Sequence, residues 1–203
     1  MRTYVKPIKP NKMEAIETKR IGKYKIDIEQ NEDAQSPDEW GNDDAFVVYD
    51  HSYFYVKREG FDPTEIFDHT NNNGKMFYDG YHVFPLYAYI HGGVALSVGD
   101  HNFPDARWDV SMKGFVLVKK TKGWTWRKDK AFKVAESITE EWNQYLRGDV
   151  YGYKVTSEDD EFDDVIESCW GFYGDHEDCM TEAVSVVEYM IKEDQKNCVG
   201  AGI

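Results

Sequence analysis

Cysteine is scarce in this chain. Among 203 residues there are three, Cys169, Cys179 and Cys198, with no C-x-x-C spacing. An odd, scattered set supports neither a disulfide framework nor a zinc ribbon, and a reducing cytoplasm is the natural setting. Cys169 lies among apolar neighbours and reads as an inert small hydrophobe. Long apolar runs are lacking too. The longest, "FPLYAYI" at 84–90, is far short of the roughly 20 residues that span a bilayer. The first twenty residues hold no apolar segment of the secretory kind. Basic residues are outnumbered, 24 Lys and Arg against 38 Asp and Glu, for a net charge of -14. Such a field repels nucleic acid and membrane surfaces and attracts basic ones.

Motifs for familiar chemistries are also missing. The six histidines, at 51, 69, 82, 91, 101 and 176, form no H-E-x-x-H, H-x-H or Cys/His cluster. "HGGVALSVG" (91–99) lacks both G-x-G-x-x-G and a G-K-[ST] ending, so it makes a poor phosphate cradle. No metal and no cofactor is expected. No repeats and no clear linker divide the chain.

What is present is core material, with 41% hydrophobic and 15% aromatic residues. Pattern then places the elements. "KYKIDIEQ" (23–30) alternates as a half-buried strand. "AFVVYDHSYFYVKRE" (45–59) is an apolar strand that breaks near Asp50 and His51. "DPTEIFDHT" (62–70) suits a short helix with Asp62 as its cap and Pro63 first. "YHVFPLYAYIHGGVALSVG" (81–99) predicts two strands about Gly92 and Gly93, and "GFVLVKKT" (114–121) another. Ala131, Val134, Ile138, Trp142, Tyr145 and Leu146 recur on one face of a helix over 128–147, ended by Gly148. "VYGYKVT" (150–156) and "VIESCWGFYG" (165–174) predict a hairpin around an acidic turn. A last helix follows over about 177–194. The expected fold is α+β, a mostly antiparallel sheet of five to seven strands with two principal helices. Residues 1–22 are expected as an irregular arm, 23–195 as one domain and 196–203 as a flexible tail.

Charge is unevenly spread. Residues 1–30 carry +4, 31–112 carry -11, 113–148 carry +5 and 149–203 carry -12. The acidic run Glu158, Asp159, Asp160, Glu161, Asp163 and Asp164 could imitate phosphates or form a solvated hairpin tip; one run is not the regular double track of a duplex. "TKGWTWRKDK" (121–130) interleaves Lys122, Arg127, Lys128 and Lys130 with Trp124 and Trp126, a pattern able to hold single-stranded nucleic acid. The strongly negative chain weighs against that use. "PDARWDV" (104–110), with Asp105, Arg107 and Asp109, reads as a salt-bridged loop.

"EWNQYLRGDVYGYKV" (141–155) followed by "ESCWGFYGD" (167–175) resembles an uncharacterised family of bacteriophage and mobile-element proteins that share "YLRG-[DE]-VYGY" and "SCWGFYG" segments. Upstream, "SPDEWGN" (36–42) and "FPLYAYIHGGVALSVG" (84–99) are similar to that family's "PREWDN" and "LPLYLYDHSG". The chain departs from the family's "C-x-H-x-R-Y" segment, for which it has "AFVVYDHSYFYVK". The resemblance brings no catalytic residue with it. It implies a phage accessory protein acting in the cytoplasm of a bacterial host.

The leading expectation is therefore a non-enzymatic protein that binds and inhibits a host nucleic-acid-handling or defence enzyme of restriction or CRISPR type. Its partner is a host protein with a basic surface, met through Glu158, Asp159, Asp160, Glu161, Asp163 and Asp164. Direct contact with nucleic acid or membrane is not expected. An abundance of Tyr and Trp allows a homodimer. The alternatives are a metal-dependent or nucleotide-processing enzyme using His51, His82, His91 and His101 with Asp50 or Asp100, and a virion or assembly component.

Overall fold

The computed structural model describes residues 15–73, 77–78, 80–104, 108–158 and 164–200. In chain order these form β1 (Glu17–Ile21), β2 (Tyr24–Gln30), a 3-10 turn (Pro37–Trp40), β3 (Ala45–Asp50), β4 (Tyr55–Val56), α1 (Pro63–Asn73), β5 (Phe77–Tyr78), β6 (Tyr81–Ile90) and β7 (Val94–Val98). They continue with β8 (Val110–Lys119), α2 (Lys128–Arg147), β9 (Val150–Ser157), β10 (Glu167–Tyr173) and α3 (His176–Gly200). The α+β class, the antiparallel pairing and the two principal helices, α2 and α3, are as expected. The described strands divide between two sheets, one of four (β1-β2-β9-β10) and one of six (β4-β3-β8-β6-β5, with β7 also on β6).

The expectation treated 23–195 as one domain. The described chain falls into two compact units, Gln35–Arg147 and a second made of residues 15–34 and 148–200. The first is thus an insertion in the sequence of the second. Its boundary at Gly148 falls between the end of α2 and the start of β9, and the one at Ala34 falls in the short segment between β2 and the 3-10 turn, so no linker composition marks either.

In Gln35–Arg147 the six-stranded sheet is apolar on both faces. One face, with Val47, Tyr49, Leu86 and Val116, packs on Ala131, Ala135, Ile138 and Trp142 of α2. The other, with Phe46, Val48, Val83, Phe115 and Leu117, packs on Ile66 of α1. Coverage of both faces explains the unbroken apolar runs "AFVVY" and "FVLV", which carry no alternation to read. Gly114 is needed where β8 passes β3, because a Cβ there would overlap the Tyr49 ring and the Val48 carbonyl oxygen. The buried Tyr49 hydroxyl donates to the Ser111 carbonyl at 2.5 Å. Asp129 in the first turn of α2 and Arg147 in its last both suit the helix dipole.

Among the described residues of the second unit, one face of the sheet is packed on a helix. Tyr24, Ile26, Ile28, Tyr153 and Val155 meet Cys179, Ala183 and Val187 of α3. Between them in β2 and β9 stand Lys25, Asp27, Glu29 and Lys154, paired as Lys25–Asp27 at 2.6 Å and Lys154–Glu29 at 2.7 Å. That is the alternation legible in "YKIDIEQ". Trp170 of β10 lies against Gly152, with the Lys154 ammonium 5.4 Å from its ring centroid. "SCWGFYG" is thus the second strand of a hairpin, and α3 starts two residues after it ends at Gly174.

Two boundaries differ from the sequence reading. Residues 17–21, expected in the irregular arm, form β1, an edge strand joined to β2 through Gly22 at φ 60°. Its only apolar residue is Ile21, so it leaves no periodic signal. Helix α3 runs to Gly200 rather than ending near Asp194, because no Gly or Pro interrupts it before that residue.

Candidate functional site

The acidic run is only partly within the described residues. Glu158, at the end of β9, is exposed and ion-paired with Arg20. Asp164 is exposed. Asp159, Asp160, Glu161 and Asp163 lie outside the described residues. The acidic surface does not stop at the hairpin. Burial of Cys179, Ala183 and Val187 turns the opposite side of α3 to solvent, where Asp178, Glu182 and Glu188 are exposed beside Tyr189, itself 64% exposed. The sequence reading missed this helix face because scattered carboxylates on a helix look like ordinary solvation. The i, i+4 step from Asp178 to Glu182 was the available signal.

Counted by unit, the imbalance is sharp. Residues 15–34 with 148–203 hold 7 basic and 20 acidic residues, a net charge of -13. Gln35–Arg147 holds 13 and 17, a net charge of -4. Most of the negative charge of the two units therefore belongs to one of them.

The four histidines of the enzyme reading do not converge. His91 and His101 share an aromatic ladder beside β6. Tyr89 stacks on His91 with centroids 5.9 Å apart and on Phe103 at 5.4 Å, Phe103 stacks on His101 at 5.7 Å, and Tyr87 meets His101 at 4.7 Å. His91 Nδ1 is 3.1 Å from the Asp109 carboxylate. His82 instead stacks on Phe84, with its Nε2 3.2 Å from the Trp126 carbonyl oxygen. His51 sits against Tyr53, and its pKa is lowered by burial first and by Lys113 second, with Asp50 pulling the other way. Asp100 is occupied by the backbone N–H of His101. Among the described residues, no group of three or more His, Cys, Asp or Glu is placed to hold a metal. Of "PDARWDV", Asp105 and Arg107 lie outside the described residues.

Neither described cysteine side chain is placed as an activated thiol. Cys169 is exposed on β10, not packed away as its neighbours in sequence suggested. Cys179 is the buried one, and burial pushes its thiol up to about 11.

Two open concavities flank the basic, aromatic segment before α2. Thr125 is 1% exposed, and its hydroxyl donates to the Lys119 carbonyl and accepts from the Thr121 N–H at 3.0 Å. The Trp124 N–H returns to the Thr121 carbonyl at 3.1 Å, closing a turn through Gly123 at φ 86°. With Thr125 pinned inward, Trp124 and Trp126 on either side point outward, 53% and 66% exposed. One groove of about 590 Å³ is lined by Lys122, Trp124, Trp126, Arg127 and Lys130. A second, of about 440 Å³, shares Trp124 and Lys130 and adds Lys133, Ile138 and Glu141. Burial raises the pKa of the Glu141 carboxyl.

No protein-family model, no curated protein and no solved structure matches the chain.

Proposed function

We propose that this is a non-catalytic binding protein whose acidic unit occupies the basic, nucleic-acid-binding groove of another protein. One observation carries the reading: residues 15–34 and 148–203 carry a net charge of -13, against -4 for Gln35–Arg147 and +3 for residues 1–14. Exposed carboxylates between β9 and β10 and on α3 supply it, from Glu158 and Asp164 to Asp178, Glu182 and Glu188. A dense negative surface steers a basic partner from a distance, and repulsion keeps free nucleic acid away. The likeness of "YLRGDVYGY" and "SCWGFYG" to bacteriophage proteins supports a bacterial host as the setting, and a restriction- or CRISPR-type enzyme as the kind of target.

The test is capture from bacterial lysate at low and at moderate salt, with the wild-type chain and a variant carrying Asp164→Lys, Asp178→Lys, Glu182→Lys and Glu188→Lys. These side chains are exposed, so the fold should survive. A nucleic-acid-binding partner held at low salt, released at moderate salt and lost with the variant is the expected result. Capture that ignores both salt and charge reversal contradicts the reading.

A further inference from the structure

The groove before α2 is not used by that function, and its chemistry is opposite in sign. Residues 119–130 contain six basic residues and one acidic residue, in a chain of net charge -14. Lys119 is engaged with Asp44 at 3.2 Å, and the Arg127 guanidinium is held by both oxygens of Asp129 at 3.0 and 2.9 Å. Lys122 and Lys130 line the groove without a carboxylate partner among the described residues. Between them stand two indoles, each more than half exposed. Large aromatic side chains are rarely left in water side by side unless something covers them.

We propose that this groove binds a nucleoside phosphate, its base stacked on Trp126 and its phosphates held by Lys122 and Lys130. Size, charge and rigidity favour this ligand. A volume of about 590 Å³ falls within the range of small-molecule sites. Indole faces accept any base by stacking, and ammonium groups suit phosphate oxygens. A long nucleic-acid strand would have to approach a chain of net charge -14, whereas a single nucleotide need only fit between two lysines. The site is also prepared in advance. Thr125 locks the turn that aims both tryptophans, and the Trp126 carbonyl oxygen is held by His82 at 3.2 Å, so the backbone that carries them needs little ordering on binding.

Calorimetric titration with ATP, GTP, CTP and UTP tests the proposal, with tripolyphosphate and adenosine as the two half-ligands. At least one nucleotide is expected to saturate, with both half-ligands at least about tenfold weaker. Trp126→Ala and, separately, Lys122→Glu with Lys130→Glu should each weaken binding about tenfold or more, with unchanged circular dichroism. Both sets of side chains are exposed, so the variants should fold. No saturation by any nucleotide at millimolar concentration would overturn the proposal. So would tripolyphosphate binding as tightly as the nucleotides, or an affinity indifferent to Trp126. An oligothymidylate or an acidic peptide that binds the groove far more tightly would replace the nucleotide with that ligand.

Discussion

The two units build a sheet on a helix in contrasting ways. In Gln35–Arg147, α1 and α2 cover both faces of the sheet, and Tyr49, Phe115, Leu86 and Leu117 are all at most 1% exposed. In the other unit α3 covers one face, and the strands alternate buried residues with charged ones. The first carries a net charge of -4 and the second -13. The unit with the deeper core thus presents aromatics and cations in a shaped groove, while the unit with the thinner core presents carboxylates across a helix and a hairpin. Depth of packing supports a preformed cavity, whereas an electrostatic surface needs only a scaffold to spread its charges on.

Substitutions matched between the units should break this contrast if it is mistaken. Gly114→Ala has the largest expected effect. Its new methyl meets a fully buried ring and a backbone carbonyl, neither able to give, so urea denaturation should show a loss of about 3 kcal/mol. Gly152→Ala in the other unit meets the Cys169 carbonyl oxygen less closely, at 2.8 Å, and presses hardest on Trp170, which is 38% exposed and can swing outward. The expected loss is smaller, about 1 kcal/mol. Equal losses would remove the distinction between a double-sided and a single-sided sheet.

Alkaline pH sharpens the comparison next. The Cys179 thiol ionises near 9 when unfolded and at about 11 when buried. A raised folded pKa means that its stability is fully present below pH 9 and is lost as pH rises toward 11, by about 2–3 kcal/mol. Burial also raises Tyr153 in the same unit, which acts in the same direction. Hydrogen exchange should show amides of β9 and α3 losing protection across this window, and Cys179→Ala should flatten the slope. Protection that stays level from pH 9 to 11 would rule out a buried thiol. Smallest in energy is thiol labelling at pH 8, where Cys169 should react at once and Cys179 only after unfolding.

How much was legible follows from the same contrast. Alternation in "YKIDIEQ" and "VYGYKVT" and the 3.6-residue period over 128–147 located β2, β9 and α2 to within a residue, because one-sided burial writes a period into the sequence. The double-sided strands were recognisable only as apolar runs. β1 escaped notice because an exposed edge strand has no face to pattern. The division into units was hidden because the second unit is assembled from residues far apart in sequence. Among the candidate residues, the outward tryptophans were visible in "GWTWRK", but their exposure depends on Thr125 turning inward, which composition cannot show. The four histidines looked alike in the sequence, and only packing separates His91 and His101, in one aromatic ladder, from His51 and His82.

The central claim is that negative charge on one unit lets it occupy a partner's nucleic-acid groove. Fluorescence anisotropy of a labelled duplex bound to the captured partner tests it most directly. Added protein should release the duplex, with a strong dependence on salt, and the four-lysine variant should release none. A ternary complex of partner, duplex and this protein, unaffected by the variant, would contradict the account.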